Sequence, residues 1–315
     1  VAAVTAPPVL VEVERSGLVE SVHRGHAVVV DASGAVIRAW GEPGTVIYPR
    51  SAVKPLQAVG MVEAGLALTG SDLALACASH SGEPFHLEGV RAVLAAGGLA
   101  ETDLQCPPDL PYAAEARAQY LAAGSVPARV AMNCSGKHAA MLRTCVQRDW
   151  SVRDYLDPQH PLQRRIRAVI EDLAGTAVAH SSTDGCGAPL WALPLVALAR
   201  AFVGLPQRCP PVGHAMSSYP DHVGGTTRDV SHLMRGVPGL LAKDGAEAVQ
   251  AMLLEVEGSR FGIALKIADG ADRARPVAAA SILRELGVSA AIVDEHLHNP
   301  VLGGGRPVGC LRSVM

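Results

Sequence analysis

Ser51 and Lys54 are the pair whose residue types and spacing best suit catalysis in this sequence. They stand in segment 48–57 (YPRSAVKPLQ), at the head of an apolar run that is typical of a helix start. Because residues three apart share one face of a helix, the Lys54 amine can reach the Ser51 hydroxyl and accept its proton. The pair predicts a serine nucleophile with a lysine base. The alternative is an exposed Ser-Lys pair at a helix end.

Lysine is scarce in this chain, which makes each lysine informative. Only four of the 27 basic residues are lysines: Lys54, Lys137, Lys243 and Lys266. Arginine cannot release its proton inside a protein, whereas a buried lysine can. A lysine kept in an arginine-dominated chain is therefore a candidate for a site that needs an amine, although drift would leave a few as well. We expect Lys266, in an alternating strand pattern, at an edge or on the surface.

Two further motifs follow the Ser-Lys pair in chain order. Segment 77–83 (CASHSGE), which contains Ser79, comes directly after an apolar run, and segment 242–245 (AKDG), which contains Lys243, lies on a strand pattern. A Ser-x-x-Lys helix, a later serine loop and a Lys-x-Gly strand follow the plan of penicillin-recognising serine enzymes. The loop has Ser-His-Ser instead of Ser-Asp-Asn, and the strand has Lys-Asp-Gly instead of Lys-Thr-Gly. The sequence therefore indicates the architecture of these enzymes without the motifs that recognise a lactam.

Cys134 and Cys186 stand in polar, glycine-containing segments. Together they could bind a soft divalent metal such as zinc, with Lys137 or His138 adding a nitrogen. The alternative is a pair of buried free thiols beside glycine turns. Asp184 lies in a turn, where a carboxylate either contacts the amine of a substrate or caps the backbone.

The bulk composition narrows the class of partner. The chain has 315 residues, 49% apolar residues and a formal charge of -3. These values exclude a disordered chain and give no electrostatic reason to expect nucleic acid or a membrane as partner, so we expect a small molecule. We find no apolar run of membrane length and no secretory signal at the start, and we expect a cytoplasmic protein. The seven cysteines lack a disulfide framework, so reduced thiols are expected.

The hydrophobic pattern predicts one catalytic domain over residues 1–315, in which strands from both chain ends form one antiparallel sheet and helices form a second lobe. The predicted elements are a strand meander over 9–40, a helical middle over 51–204, strands at 239–245 and 261–268, a helix at 271–286 and a flexible tail at 303–305.

Taken together, five co-linear blocks resemble the asparaginase II family, the rhizobial-type or class 3 L-asparaginases. The blocks are RSAVKPLQ, CASHSGE, NCSGKH, TDGC and AKDGAE, and the resemblance runs from about residue 15 to residue 286. It implies an α/β (α+β) fold similar to serine beta-lactamases and glutaminases, with an antiparallel sheet flanked by helices.

The resemblance also implies the roles of individual residues. It implies two Ser-Lys pairs, a zinc ion near the substrate and two substrate contacts. The residues concerned are Ser51 with Lys54, Ser79 with Lys243, Cys134, Lys137 and Cys186 on zinc, and Arg50 and Asp184 on the substrate. Asp244 departs from the more usual Lys-Thr-Gly, and an acid beside Lys243 favours its protonated form.

The sequence therefore predicts an L-asparaginase that acts on a small amide, L-asparagine, and forms a homodimer. Two alternatives stay open. One is a serine beta-lactamase or peptidase-like hydrolase, and the other is a non-catalytic zinc-dependent protein that binds an amino acid.

Overall fold

The computed structural model describes residues 6–315. This part of the chain divides into two compact units. The first unit comprises the chain up to Ala52, Leu193–Val203 and Leu233–Met315, and the second comprises Val53–Ala192 and Gly204–His232. The single catalytic domain over residues 1–315 stays a prediction.

Strands dominate the two ends of the chain and helices its middle. The strands are β1 (Val9–Arg15), β2 (Leu18–Val30), β3 (Val36–Trp40), β4 (Val46–Ile47), β5 (His180–Thr183), β6 (Pro189–Pro194), β7 (Leu240–Gly245), β8 (Val249–Val256), β9 (Ser259–Ile267), β10 (Asn299–Gly303) and β11 (Arg306–Ser313). The helices are α1 (Lys54–Glu63), α2 (Gly70–Ala76), α3 (Pro84–Ala95), α4 (Ala114–Ala122), α5 (Ser135–Gln147), α6 (Pro161–Ala174), α7 (Leu195–Arg208), α8 (Pro210–Ser218), α9 (Pro220–Val223), α10 (Asp229–Gly236), α11 (Arg275–Glu285) and α12 (Ala291–Leu297).

The first unit is built on one antiparallel sheet. Its strand order is β10-β11-β1-β2-β9-β8-β7, and β3 pairs with the far part of β2. Val11 lies opposite Ser313 and Val28 lies opposite Ala264, so both chain ends contribute neighbouring strands. The predicted α/β fold with an antiparallel sheet from the N- and C-terminal strands is confirmed.

The structure differs from the sequence analysis at three places in the first unit. The expected flexible tail at 303–305 is the turn of the β10–β11 hairpin, in which Gly304 and Gly305 take positive φ. Strand β8 has no counterpart among the predicted strands. Of the two places expected for Lys266, the sheet edge is wrong, because its strand β9 pairs with β2 on one side and β8 on the other. Its side chain is half-buried, so the surface alternative is met in part. The helix expected at 271–286 forms as α11, preceded by a short 3-10 turn.

The second unit is mostly helical, as the sequence predicts. Helix α6 buries Leu162, Ile166 and Ile170 along one stripe and ends at Gly175, whose φ of 67° provides a left-handed cap. It packs closely on α1, because a β carbon added at Gly60 would lie 2.9 Å from the Cα of Ile166. Helix α5 packs on α2 and α3. Each helix within residues 6–315 is too short or too polar to serve as a membrane span.

Candidate active site

Lys54 stands at the start of α1, directly after a 3-10 turn (Arg50–Val53), as the sequence predicts. Its side chain is 1% exposed. Its Nζ atom lies 2.5 Å from Ala78 O, 3.0 Å from Ser79 Oγ and 3.1 Å from Cys134 Sγ. These contacts match the three N–H groups of an ammonium ion. A neutral amine has only two N–H groups, so it donates in two of these contacts. In the third contact it accepts a hydrogen bond from the hydroxyl or the thiol.

Ser79 lies in the loop after α2 and is held from two sides. Its backbone N–H donates to Val223 O at 3.0 Å, and the N–H of His80 donates to Asn133 O at 3.0 Å. Ser79 is 5% exposed. The main chain therefore fixes the Ser79 hydroxyl beside the Lys54 amine.

Hydrogen bonds and a cation–π contact between distant segments hold this loop. Glu83 accepts hydrogen bonds from the N–H and the hydroxyl of Thr226, both at 2.9 Å. Arg228 stacks its guanidinium on the Tyr112 ring at 4.6 Å and reaches the carbonyl of Ser79 at 3.5 Å. Because Glu83 and Thr226 are 143 residues apart, only the fold brings them together. Two sequence signals point to these contacts. Glu83 stands in the motif that contains Ser79, and Thr226 and Arg228 stand in the glycine loop 224–228, a type of segment suited to holding a carboxylate.

Cys134, Lys137 and Cys186 meet in the interior of the second unit. Cys134 precedes α5 and Lys137 lies in its first turn, so the three-residue spacing places both side chains on one face of the helix. Cys186 stands in the turn between β5 and β6, and its Sγ atom lies 3.1 Å from the Lys137 Nζ. All three residues are buried. The structure thus brings together the three residues predicted as zinc ligands.

Two of these three residues carry opposite charges, and the third is neutral. Contact with the Cys134 thiol, helped by Lys137 and His138, lowers the pKa of Cys186 far below its ordinary value. The same contact, together with burial, raises the pKa of Cys134. Cys186 is therefore the thiolate and Cys134 the thiol. Burial lowers the pKa of Lys137, but Cys186, Cys134 and Asp184 outweigh burial and raise it above the ordinary value.

The donor set fits a zinc ion in chemical type. Two cysteine sulfurs and a nitrogen are ligands that zinc prefers, and the Cys186 thiolate is already formed. Within residues 6–315 no three His, Cys, Asp or Glu side chains converge, so a metal here would need the Lys137 amine as its third protein ligand. Lys137 would have to lose its proton to bind, which makes the zinc affinity depend on pH.

Asp184 caps the turn that carries Cys186. Its carboxylate accepts the N–H of Gly185 at 2.9 Å, and its backbone exchanges hydrogen bonds with Gly187 and Ala188. The capping role is thus present, and the contact with a substrate amine stays a prediction.

In the first unit, Arg50 and Ser51 form a strained turn against the end of β7. Arg50 has a φ of 51°, a left-handed conformation that is costly for a residue with a side chain. A β carbon added at Gly245 would lie 2.6 Å from Pro49 O and 3.3 Å from Ser51 N, so only glycine allows this approach. Ser51 itself is half-buried. The turn with the predicted nucleophile and the motif with Lys243 are therefore neighbours.

Lys243 is a buried cation that is paired with the residue after it. Its side chain is 0% exposed, and its Nζ atom lies 2.6 Å from the Asp244 carboxylate and 2.8 Å from the Asp244 carbonyl. Asp244, which stands where Lys-Thr-Gly would have threonine, thus contacts the Lys243 amine directly.

The structure divides the predicted site residues between the two units. Arg50, Ser51 and Lys243 lie in the first unit, and the second contains Lys54, Ser79, Cys134, Lys137, Asp184 and Cys186. The pairings of Ser51 with Lys54 and of Ser79 with Lys243 therefore stay predictions.

Comparisons with known proteins agree with the sequence blocks. The family model of L-asparaginase II matches residues 11–313, nearly the whole chain. No curated protein matches the chain. Two similar solved structures are Mglu in its native form (14% identity, 84% of this chain and 64% of that chain, TM-score 0.43) and a protein of Bacteroides dorei DSM 17855, assigned provisionally as a beta-lactamase (14% identity, 82% and 92%, TM-score 0.47). The chain thus spans less than two thirds of the Mglu structure.

Proposed function

The chain belongs to the L-asparaginase II family, and on that basis we propose that it is an amidohydrolase that converts L-asparagine to L-aspartate and ammonia. The observation that carries the catalytic part of the proposal is the buried Lys54 amine, 3.0 Å from the Ser79 hydroxyl. A buried amine beside a hydroxyl is the arrangement that a serine hydrolase without a histidine base needs.

In the first step, the Ser51 oxygen attacks the side-chain carboxamide carbon of asparagine. Lys54, three residues further along the chain, accepts the proton of Ser51 as a neutral amine. The carbonyl oxygen becomes an oxyanion that needs hydrogen-bond donors. Our candidates for these donors are the main-chain amide of Ser51 and the amides that follow Gly245, because β7 ends beside the Ser51 backbone.

In the second step, the bond from carbon to nitrogen breaks and ammonia leaves with the proton taken from Ser51. Ser79 lies in contact with Lys54 and suits the relay of this proton. Lys243, paired with Asp244, contributes positive charge rather than a free base. Water then attacks the β-aspartyl ester on Ser51, and the same groups return the proton as aspartate leaves.

Substrate recognition requires charges that match an α-amino acid. We assign the substrate carboxylate to Arg50 and the substrate amine to Asp184. Cys134, Lys137 and Cys186 would hold a zinc ion, which supplies a fixed positive charge for orienting the substrate. The homodimer and the cytoplasmic location are parts of the same proposal.

The nucleophile is tested by separate Ser51→Ala and Ser79→Ala variants. We expect Ser51→Ala to abolish ammonia release from asparagine, and Ser79→Ala to slow the reaction without abolishing it. Peptide mapping after covalent trapping with a reactive asparagine analogue should locate the added mass on Ser51. Added mass on Ser79 alone would reverse the two roles, and turnover by Ser51→Ala would remove the assignment.

Two further assays distinguish the alternatives. Hydrolysis of nitrocefin without ammonia release from any amide would favour a beta-lactamase-like hydrolase. Binding of asparagine without turnover or trapping would favour the non-catalytic binding protein.

Zinc is tested by metal analysis of the purified protein. We expect about one zinc ion per chain, lost in Cys186→Ser and kept in Cys310→Ser, a control at a half-buried thiol of β11. Equal zinc in both variants would contradict the ligand set.

A further inference from the structure

Lys266 is the fourth lysine of the chain and has no place in the proposed chemistry. Its strand β9 lies inside the sheet, and its side chain is half-buried. Its Nζ atom donates to Glu247 O at 2.5 Å and to Ile267 O at 2.7 Å. The ammonium therefore ties the end of its own strand to the turn between β7 and β8.

That turn, residues 246–248, has a costly backbone conformation. Glu247 and Ala248 take φ values of 62° and 53°, which place two consecutive residues with side chains in the left-handed region. Each such residue costs about 1–3 kcal/mol unless its surroundings hold it in place. Besides Lys266, the N–H of Ile267 holds the turn by donating to Ala248 O at 3.1 Å.

The turn directly follows the part of β7 that faces the predicted nucleophile. Gly245 immediately precedes it, and a β carbon there would lie 2.6 Å from Pro49 O and 3.3 Å from Ser51 N. Any shift of the turn would therefore move the main chain beside Ser51. Burial lowers the pKa of Lys266, and Arg50, which precedes Ser51, adds to this lowering, whereas Glu247 and Asp269 act in the opposite direction.

We propose that Lys266 is a positioning residue, whose ammonium holds the strained turn at 246–248 so that the main chain after Gly245 keeps its place beside Ser51. This inference rests on the proposed function, because it concerns the geometry that stabilises the oxyanion. Lys266 acts through the turn and touches no reacting atom.

The test compares Lys266→Met, Lys266→Arg and Arg260→Met. Arg260 is a matched control, a cation on the same strand that is paired with Glu255 away from the turn. Lys266→Met should lower kcat for ammonia release about 10-fold to 100-fold with KM within about threefold, since small misplacements in an active site have effects of this size. Lys266→Arg, which keeps donors for the two carbonyls, should recover part of the loss, and Arg260→Met should match the wild type.

A second variant separates positioning from a general loss of stability. Glycine adopts left-handed φ without strain, so Ala248→Gly in the Lys266→Met background should recover kcat at least threefold. If Lys266 acted only through its charge near Arg50, Ala248→Gly would not restore kcat in the Lys266→Met background. Unchanged kcat in Lys266→Met, or no recovery in the double variant, would overturn the inference.

Hydrogen exchange separates failure of this inference from failure of the proposed function. Lys266→Met should exchange faster than the wild type in peptides that cover residues 245–250, while Arg260→Met should not. If the wild type releases no ammonia from any amide, the proposed function fails and the exchange result alone decides the inference. Unchanged exchange at these residues would overturn it.

Discussion

Replacing Lys54 by methionine should remove catalysis while leaving the protein folded. The native Lys54 amine lies within hydrogen-bond distance of three groups, and two of these can find other partners. The Cys134 thiol already donates to the Asn133 side chain at 3.1 Å, and the Ser79 hydroxyl can rotate. The Ala78 carbonyl only accepts, so the variant leaves one buried acceptor unsatisfied, at a cost of about 1–3 kcal/mol.

The expected effect on the reaction is larger than the effect on folding. Loss of a general base slows a reaction by about 10²–10⁴-fold, which corresponds to about 3–5 kcal/mol in the barrier. A domain with about 5–15 kcal/mol of stability stays folded after a loss of 1–3 kcal/mol. The two effects are therefore separable by measuring coupled ammonia release from asparagine alongside urea unfolding.

A second substitution, Lys54→Arg, distinguishes the base from the hydrogen-bond donor. Arginine keeps a positive charge and several N–H groups but cannot give up its proton. It should lose activity as methionine does, while restoring part of the stability. A folded Lys54→Met that hydrolyses asparagine within tenfold of the wild-type rate would refute the role of this amine.

Asp244→Asn should lower the free energy of unfolding by about 3–5 kcal/mol, because it removes the carboxylate that pairs with the buried Lys243 ammonium. Asp294→Asn, at an exposed ion pair, is the control in chemical denaturation. Equal losses of stability in the two variants would contradict the role of the buried pair. Burial lowers the pKa of His86 to about 3, so the folded state resists a proton that the unfolded state takes up near pH 6.5. The free energy of unfolding should therefore fall as the pH drops from about 6.5 toward 3. In urea titrations at several pH values, His86→Gln should show a shallower fall than the wild type. An equal dependence on pH in the two proteins would contradict the role of His86. Alkylation by iodoacetamide at pH 7.5 should label Cys310 before the six buried thiols, as peptide mass spectrometry would show, and earlier labelling of a buried thiol would contradict the packing.

The sequence predicts the parts of this structure that depend on local pattern. Strand alternation places β1, β7 and β9, and the apolar run after Lys54 places α1. In each case neighbouring residues decide the conformation, so a single sequence carries the signal.

Other features depend on contacts between distant segments and leave no such signal. The turn at 246–248 has left-handed Glu and Ala, where pattern rules expect glycine or asparagine. The hydrogen bonds that Thr226 donates to Glu83 and Lys266 donates to Glu247 form only once the chain has folded. The scarcity of lysine was the one clue that pointed toward Lys266, whereas its alternating strand pattern predicted only a residue at a sheet edge or on the surface.

The partners of the three buried lysines differ in charge, and this difference supports the proposal that Lys54 is the base. Lys137 faces the Cys186 thiolate and Lys243 faces the Asp244 carboxylate, and each anion stabilises the ammonium form. Within residues 6–315, the hydrogen bonds of Lys54 go to a carbonyl, a hydroxyl and a thiol, none of which is an anion once Cys186 carries the thiolate charge.

The same comparison links the proposed metal site to the base. If zinc were bound through both sulfurs, the Cys134 proton would leave, and Lys54 would then touch a thiolate whose charge is shared with the metal. The proposed zinc site and the proposed base therefore share one residue, Cys134, whose sulfur lies 3.1 Å from the Lys54 amine.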